Sequence, residues 1–204
     1  MLSWAALALA KRLWLGNWEL NWDWPVFSSD QIRKTLAGIP LTERTATERR
    51  GEVYSEQMTE QTYKQLVERG LAAVEIHGGV VLDATFSSRA HREFLCKECE
   101  NARVGLQFVE LNVDLREMAC RLSARNESSG EISDARLEDL EKLNAGYAPP
   151  LELASDLIKI SANNDVFGTV KAALLQLTEK SASSPQRIRP VSDRTGSSPG
   201  DQLR

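Results

Sequence analysis

The stretch GGVVLDATFSSRAHR occupies residues 78–92. Val80, Val81 and Leu82 come off a double glycine and end in Asp83, and a small, hydroxyl-rich turn then opens a helix. A short apolar run between turn signals reads as a strand buried on both faces. Strands of that kind build parallel sheets covered by helices, and their carboxyl ends line the ligand crevice. Asp83 is the first polar residue of its strand, so it enters that crevice. Asp30 holds a matching place after VFSS (26–29).

Working outward, Tyr63, Leu66, Val67, Leu71 and Val74 fall at helical spacing after Ser55, and Gly78–Gly79 end that helix. SDQIRKTLAG (29–38) reads as a helix with a Ser/Asp cap and Gly38 as its stop. Residues 39–54 are polar and read as irregular. Beyond the opening stretch, residues 88–103 read as helix and VGLQFVELN (104–112) as strand. A helix from Asp114 to Arg125, a Ser/Gly break at 128–130 and a helix capped by Ser133 and running to Asn144 follow. YAPPLEL (147–153) is a proline-stiffened loop, LIKI (157–160) a last strand and VFGTVKAALLQL (166–177) a last helix. At the start, residues 3–13 are rich in Ala and Leu and are expected to be helical. NWELNWDW (17–24) alternates with period two and is expected to be extended, although Trp14, Trp18 and Trp22 also repeat at helical spacing. PVFSS (25–29) continues as a short strand with Pro25 at its first position.

Strands alternating with helices imply an α/β architecture, a mostly parallel sheet covered on both faces. One domain is expected over residues 1–180. The Ser/Pro/Gly/Arg-rich residues 181–204 read as a disordered tail. Of the 204 residues 42% are hydrophobic and 26% charged, and the net charge is −4, which gives no overall basic field for nucleic acid. Three cysteines, Cys96, Cys99 and Cys120, argue against a disulfide framework and for a reducing compartment, so a cytoplasmic location is expected. No run approaches the roughly 18 apolar residues of a membrane span. The opening MLSWAALALAKRLWLG lacks the basic start of a signal peptide.

Four segments taken together, FSSDQIRKTLAGIP (27–40), GEVYSEQMTEQTYKQL (51–66), VVLDATFSSRAHR (80–92) and CRLSARNESSGEISDA (120–135), resemble the P-loop kinase-like ATPases of the AAA family. Relatives of that group include zeta toxins, chloramphenicol phosphotransferases and polynucleotide kinase. The resemblance covers residues 3–178 and implies a three-layer fold that uses ATP and Mg2+. It gives each matched position a role. Asp30 resembles the residue that activates the acceptor hydroxyl, because a carboxylate takes the proton as oxygen attacks phosphorus. Arg33 resembles an acceptor-binding arginine whose fork pairs with phosphate. Asp83 matches the Walker B acid, which holds magnesium largely through water. Arg121 and Arg125, four apart on one helix face, resemble lid arginines that neutralise the transferred phosphoryl group. Asn163, in SANND (161–165), falls where the family places its adenine-contacting loop.

The chain departs from the family most in its phosphate loop, and the Trp-rich alternating segment is a further extra. The kinases hold phosphate with G-x-x-x-x-G-K-[ST], and no glycine here is followed by lysine. LALAKRL (7–13) matches helix positions beyond that loop, so the Walker A loop and the strand before it are expected to be missing. The chain then reads either as truncated at its amino end or as a protein that has lost ATP hydrolysis.

Plainer readings stand beside the sharper ones. Asp83 and Asp30 also suit strand-end and helix-cap positions. Arg121 and Arg125 also suit a solvated face. CKEC (96–99) has zinc or redox spacing but no second pair of ligands, so ordinary packing is expected. His77 sits at a helix end and His91 near a helix start, with no triad around either. The tryptophans read as core or sheet packing rather than base stacking.

The expected ancestral activity is phosphoryl transfer from ATP to a hydroxyl of a small molecule or nucleic acid, with weak or absent turnover for want of the phosphate cradle. The alternative is a non-catalytic pseudo-kinase or partner-binding module. The expected partners are a nucleotide and a hydroxyl-bearing acceptor, and no membrane. Association through exposed sheet edges is expected if the central strand is lacking.

Overall fold

The structure is a computed structural model, and it describes residues 2–9, 24–113, 147–153, 157–161, 171–173 and 175–179. Strand β1 is Leu2–Leu9, β2 Val26–Ser28, β3 Gly79–Ala84, β4 Gly105–Asn112 and β5 Leu157–Ser161. Helix α1 is Ser29–Leu36, α2 Arg50–Val53, α3 Glu56–His77 and α4 Arg89–Asn101. The strands form one sheet in the order β2-β3-β1-β4-β5. β2 runs parallel to β3, and β4 parallel to β5.

The first strand corrects the sequence reading. Residues 3–13 were expected to be helical, yet Leu2–Leu9 lies in the centre of the sheet, antiparallel to both β3 and β4. Helix propensity is worth only about 0.7 kcal/mol per residue or less. A segment between two strands has its backbone N–H and C=O groups satisfied on both sides, and that tertiary gain overrides propensity. The sheet is therefore half parallel and half antiparallel. The edges of β3 and β4 that face the centre are both paired. Residues 39–54, expected to be irregular, contain the one-turn helix Thr47–Arg49 and the short α2. The alternating tryptophan segment through Asp23, the helices expected over 114–125 and 133–144, and the tail lie outside the described residues.

The remaining elements follow local rules. Ser28 caps α1, its hydroxyl accepting from the Asp30 N–H at 3.3 Å. Gly38, at φ 65°, ends α1, with the Ile39 N–H donating to Lys34 O at 2.8 Å. Ser55 caps α3 by accepting from Met58 N, and Gly78, at φ 76°, closes it. The two adjacent glycines serve different ends. Gly78 supplies the left-handed turn, whereas a Cβ on Gly79 would lie 2.3 Å from the Trp24 indole.

The core lies on both faces of the sheet, as three layers require. One face packs Leu66, Val67 and Val74 of α3 and Leu95 and Cys99 of α4 against Val80, Leu82 and Phe108. The strand residues between them, Val81, Val109 and Leu111, point the other way and pack with Ile158, Ile160 and Leu177. Among the described residues no helix is long and apolar enough to cross a membrane.

Candidate functional site

β2 and β3 end side by side, with Ser28 opposite Asp83 in the parallel ladder. Asp30 follows two residues later, in the first turn of α1. The two acids singled out in the sequence thus stand at the carboxyl ends of neighbouring parallel strands, where α/β sheets bind ligands. Asp83 is exposed, as expected for a strand-end carboxylate. Because Ser28 supplies the helix cap, the Asp30 carboxylate is not needed for it.

Arg33 lies one turn further along α1 but is 93% buried, with 7% exposure. Its Nη1 donates to Val53 O at 3.0 Å and to the Thr59 hydroxyl at 3.1 Å. Its guanidinium lies 4.9 Å from the centre of the Tyr54 ring, and its Nε has no hydrogen-bond partner among the described residues. Arg33 therefore ties α1 to the start of α3. Arg121, Arg125 and Asn163 lie outside the described residues.

Sequence reading missed an aromatic cluster packed behind the turn that follows β3. Tyr63 is buried on α3; its hydroxyl accepts from the Phe86 N–H at 3.1 Å and lies 3.2 Å from the Thr85 hydroxyl. Burial raises the Tyr63 phenol above its usual pKa, while the Thr85 and Phe86 hydrogen bonds and the Arg33 charge pull it down. The His91 ring stacks on Tyr63 with centroids 3.9 Å apart. Burial lowers the His91 imidazole below its ordinary value, Glu60 opposes this and Arg33 adds to it. The available signal was the spacing of His91 from Asp83 across one turn, and it named no partner.

The turn after Asp83 is held by Arg92, which is fully buried. Its Nη1 donates to Phe86 O at 2.7 Å and Ser87 O at 3.2 Å, and its Nε to Glu152 at 2.5 Å. Burial alone would raise the Glu152 carboxyl, but the Arg92 hydrogen bond and charge outweigh it and hold the group below its ordinary value. Phe86 sits at φ 38°, an uncommon angle for a side chain of this size, inside that clamp. The Ala148 N–H also donates to Ser87 O at 3.0 Å, so the 147–153 loop and the turn after β3 are one unit.

The sequence profile of the AAA domain family matches residues 9–150, more than half of the chain. The chain belongs to this AAA domain family. No curated protein matches it. Among solved structures, this AAA domain protein is similar to a gluconokinase from Sinorhizobium meliloti 1021, with a TM-score of 0.54 and 17% identity. The match covers 78% of this chain and 80% of that one. At that identity the likeness concerns the fold, which is that of a P-loop kinase.

The donor set of the AAA domain protein suits hydrated magnesium better than a caged metal. Among the described residues no three His, Cys, Asp or Glu side chains gather as metal ligands. Magnesium keeps several waters and needs only one or two carboxylates, and Asp83 stands at a strand end of the kind where one is placed. Cys96 and Cys99 form no disulfide among the described residues, and burial pushes the Cys99 thiol up to about 12, far from a reactive thiolate.

Proposed function

We propose that the crevice at the ends of β2 and β3 is a nucleotide and acceptor site of kinase type. Asp83 would hold magnesium through water, and Asp30 would take the proton of an acceptor hydroxyl on a small molecule or nucleic acid. Arg33 would orient the acceptor. Arg121 and Arg125 would neutralise the phosphoryl group, and Asn163 would contact adenine. ATP supplies the phosphoryl group in such chemistry. A cytoplasmic setting fits the odd cysteine count.

The observation that carries this reading is the pairing of Ser28 with Asp83, which aligns the two acidic segments at adjacent strand ends. Catalysis of phosphoryl transfer is mostly positioning and charge neutralisation, so a chain with no Gly-Lys phosphate cradle turns over weakly or not at all.

A second reading, a pseudo-kinase or partner-binding module, is favoured by that same missing Gly-Lys pair. Titration of the full chain with magnesium–ATP, followed by tryptophan fluorescence, separates the two. Saturable binding that weakens at least tenfold in Asp83→Asn supports the nucleotide site. A flat response in both proteins sinks it and leaves the module.

A further inference from the structure

β1 joins two halves of the sheet that are also joined without it. It pairs with β3 from Trp4 to Leu9 and with β4 from Leu2 to Leu9. β2 and β3 form one parallel pair, and β4 and β5 the other. Several connections pass around β1. The Phe86 ring, just after β3, meets the Phe108 ring of β4 edge-on at 5.9 Å. Helices α3 and α4 pack one core against Val80 and Leu82 of β3 and Phe108 of β4. The 147–153 segment makes a further bridge. Its Tyr147 hydroxyl donates to Glu110 Oε1 of β4 at 2.8 Å, and its Ala148 N–H donates to Ser87 O, beyond β3, at 3.0 Å. Its Glu152 pairs with the fully buried Arg92 of α4. β3 and β4 are thereby held two strand spacings apart, roughly 10 Å, by contacts that do not involve β1.

β1 is also locally ill-suited to its place. Its sequence LSWAALAL holds Ala5, Ala6 and Ala8 beside Leu2, Leu7 and Leu9, and no β-branched residue. Alanine and leucine lead the helix scale, and alanine is depleted in strands. The family profile matches residues 9–150, so Leu2–Ala8 lies outside it. A segment that prefers one local state and is held in another by its neighbours sets local against tertiary signals. Where the surrounding structure stands without it, such a segment opens as a unit at less cost than global unfolding.

We propose that β1 is a releasable strand: residues 2–9 leave the slot between β3 and β4 as one unit while the remaining strands and their helices stay folded. In the released state the inward edges of β3 and β4 lose their ladder partners. Asp83 then keeps Ser28 of β2 opposite it and loses Ala5, so the crevice end of β3 is loosened on one side. The release does not rest on the kinase reading, because no step of it uses a ligand.

The test is hydrogen exchange on the full chain, read by mass spectrometry for peptides from residues 2–9 and 63–74 and corrected for intrinsic rates. Amides of β1 are expected to exchange at least about tenfold faster than those of α3. Their rate should also depend less on low concentrations of urea, since a local opening exposes less surface. Ala6→Pro removes a ladder N–H from the middle of a central strand, where proline is not accommodated. It should leave residues 2–9 unprotected, with α3 still exchanging at least about tenfold more slowly than they do. Two results overturn the proposal. One is equal protection of β1 and α3 in the natural chain. The other is loss of α3 protection in Ala6→Pro, which would make β1 part of the global folding unit.

Discussion

β3 and β4 flank the same central strand, and each carries one acid, yet the two acids have opposite settings. Asp83 stands exposed near the end of β3 after an apolar run. Glu110 is buried in β4 with Phe108 and Val109 before it and needs the Tyr147 hydroxyl and Lys159 beside it. An exposed carboxylate keeps much of its hydration and so costs folding little. A buried one must be hydrogen-bonded, and its partners come from distant parts of the chain. Acids of equal charge thus serve unlike purposes, and position within the strand decides which.

The largest effects should come from what the two strands share. Phe108→Ala removes a 2%-exposed ring that meets Phe86 edge-on, and a loss of about 4 kcal/mol is expected in urea unfolding. Leu82→Ala, on the same face of β3, should cost about 3 kcal/mol. If only one of these matters, the core is not continuous across the central strand. A middle-sized effect should separate the strands. Tyr147→Phe leaves Glu110 Oε1 without its donor and should cost about 2 kcal/mol. A cost below about 0.5 kcal/mol would show that water serves Glu110 and that its burial resembles the setting of Asp83 after all.

A smaller effect lies in pH. The folded His91 imidazole is held below its ordinary value of 6.5, chiefly by burial, so the folded state binds its proton less readily than the unfolded chain. The stability it supports is present above that ordinary value and is lost as pH falls through the folded one. His91→Phe keeps a ring against Tyr63 and should flatten the decline in melting temperature on the acid side. An identical slope in both proteins would locate the titration elsewhere. The smallest effect should be Asp83→Asn, which should shift unfolding by less than about 0.5 kcal/mol. A larger loss would mean that the exposed acid is structural, and the contrast with Glu110 would disappear.

Much of the fold near the crevice was legible because its signals are local. Ser28, Ser55, Gly38 and Gly78 announce helix ends through hydrogen bonds and backbone angles a few residues away. VVLDA and VFSS announce strands by apolar runs, and the strand-end placement of Asp83 follows from them. The pairing of Tyr63 with His91, 28 positions apart in sequence, and the clamp from Arg92 to Glu152 had no such signal. Glu110 was visible only as a charge interrupting an apolar strand.

The sequence by itself determined β2, α1, α3, β3, α4 and β4 in their order, the ends of α1 and α3, and the family, because capping, periodicity and turn chemistry act over a few residues. Tertiary structure alone decided that Leu2–Leu9 becomes a central antiparallel strand rather than a helix, and that Glu110 is buried while Asp83 is not. Those outcomes depend on which backbone groups and side chains meet across the sheet, and a chain specifies such meetings only when it is folded.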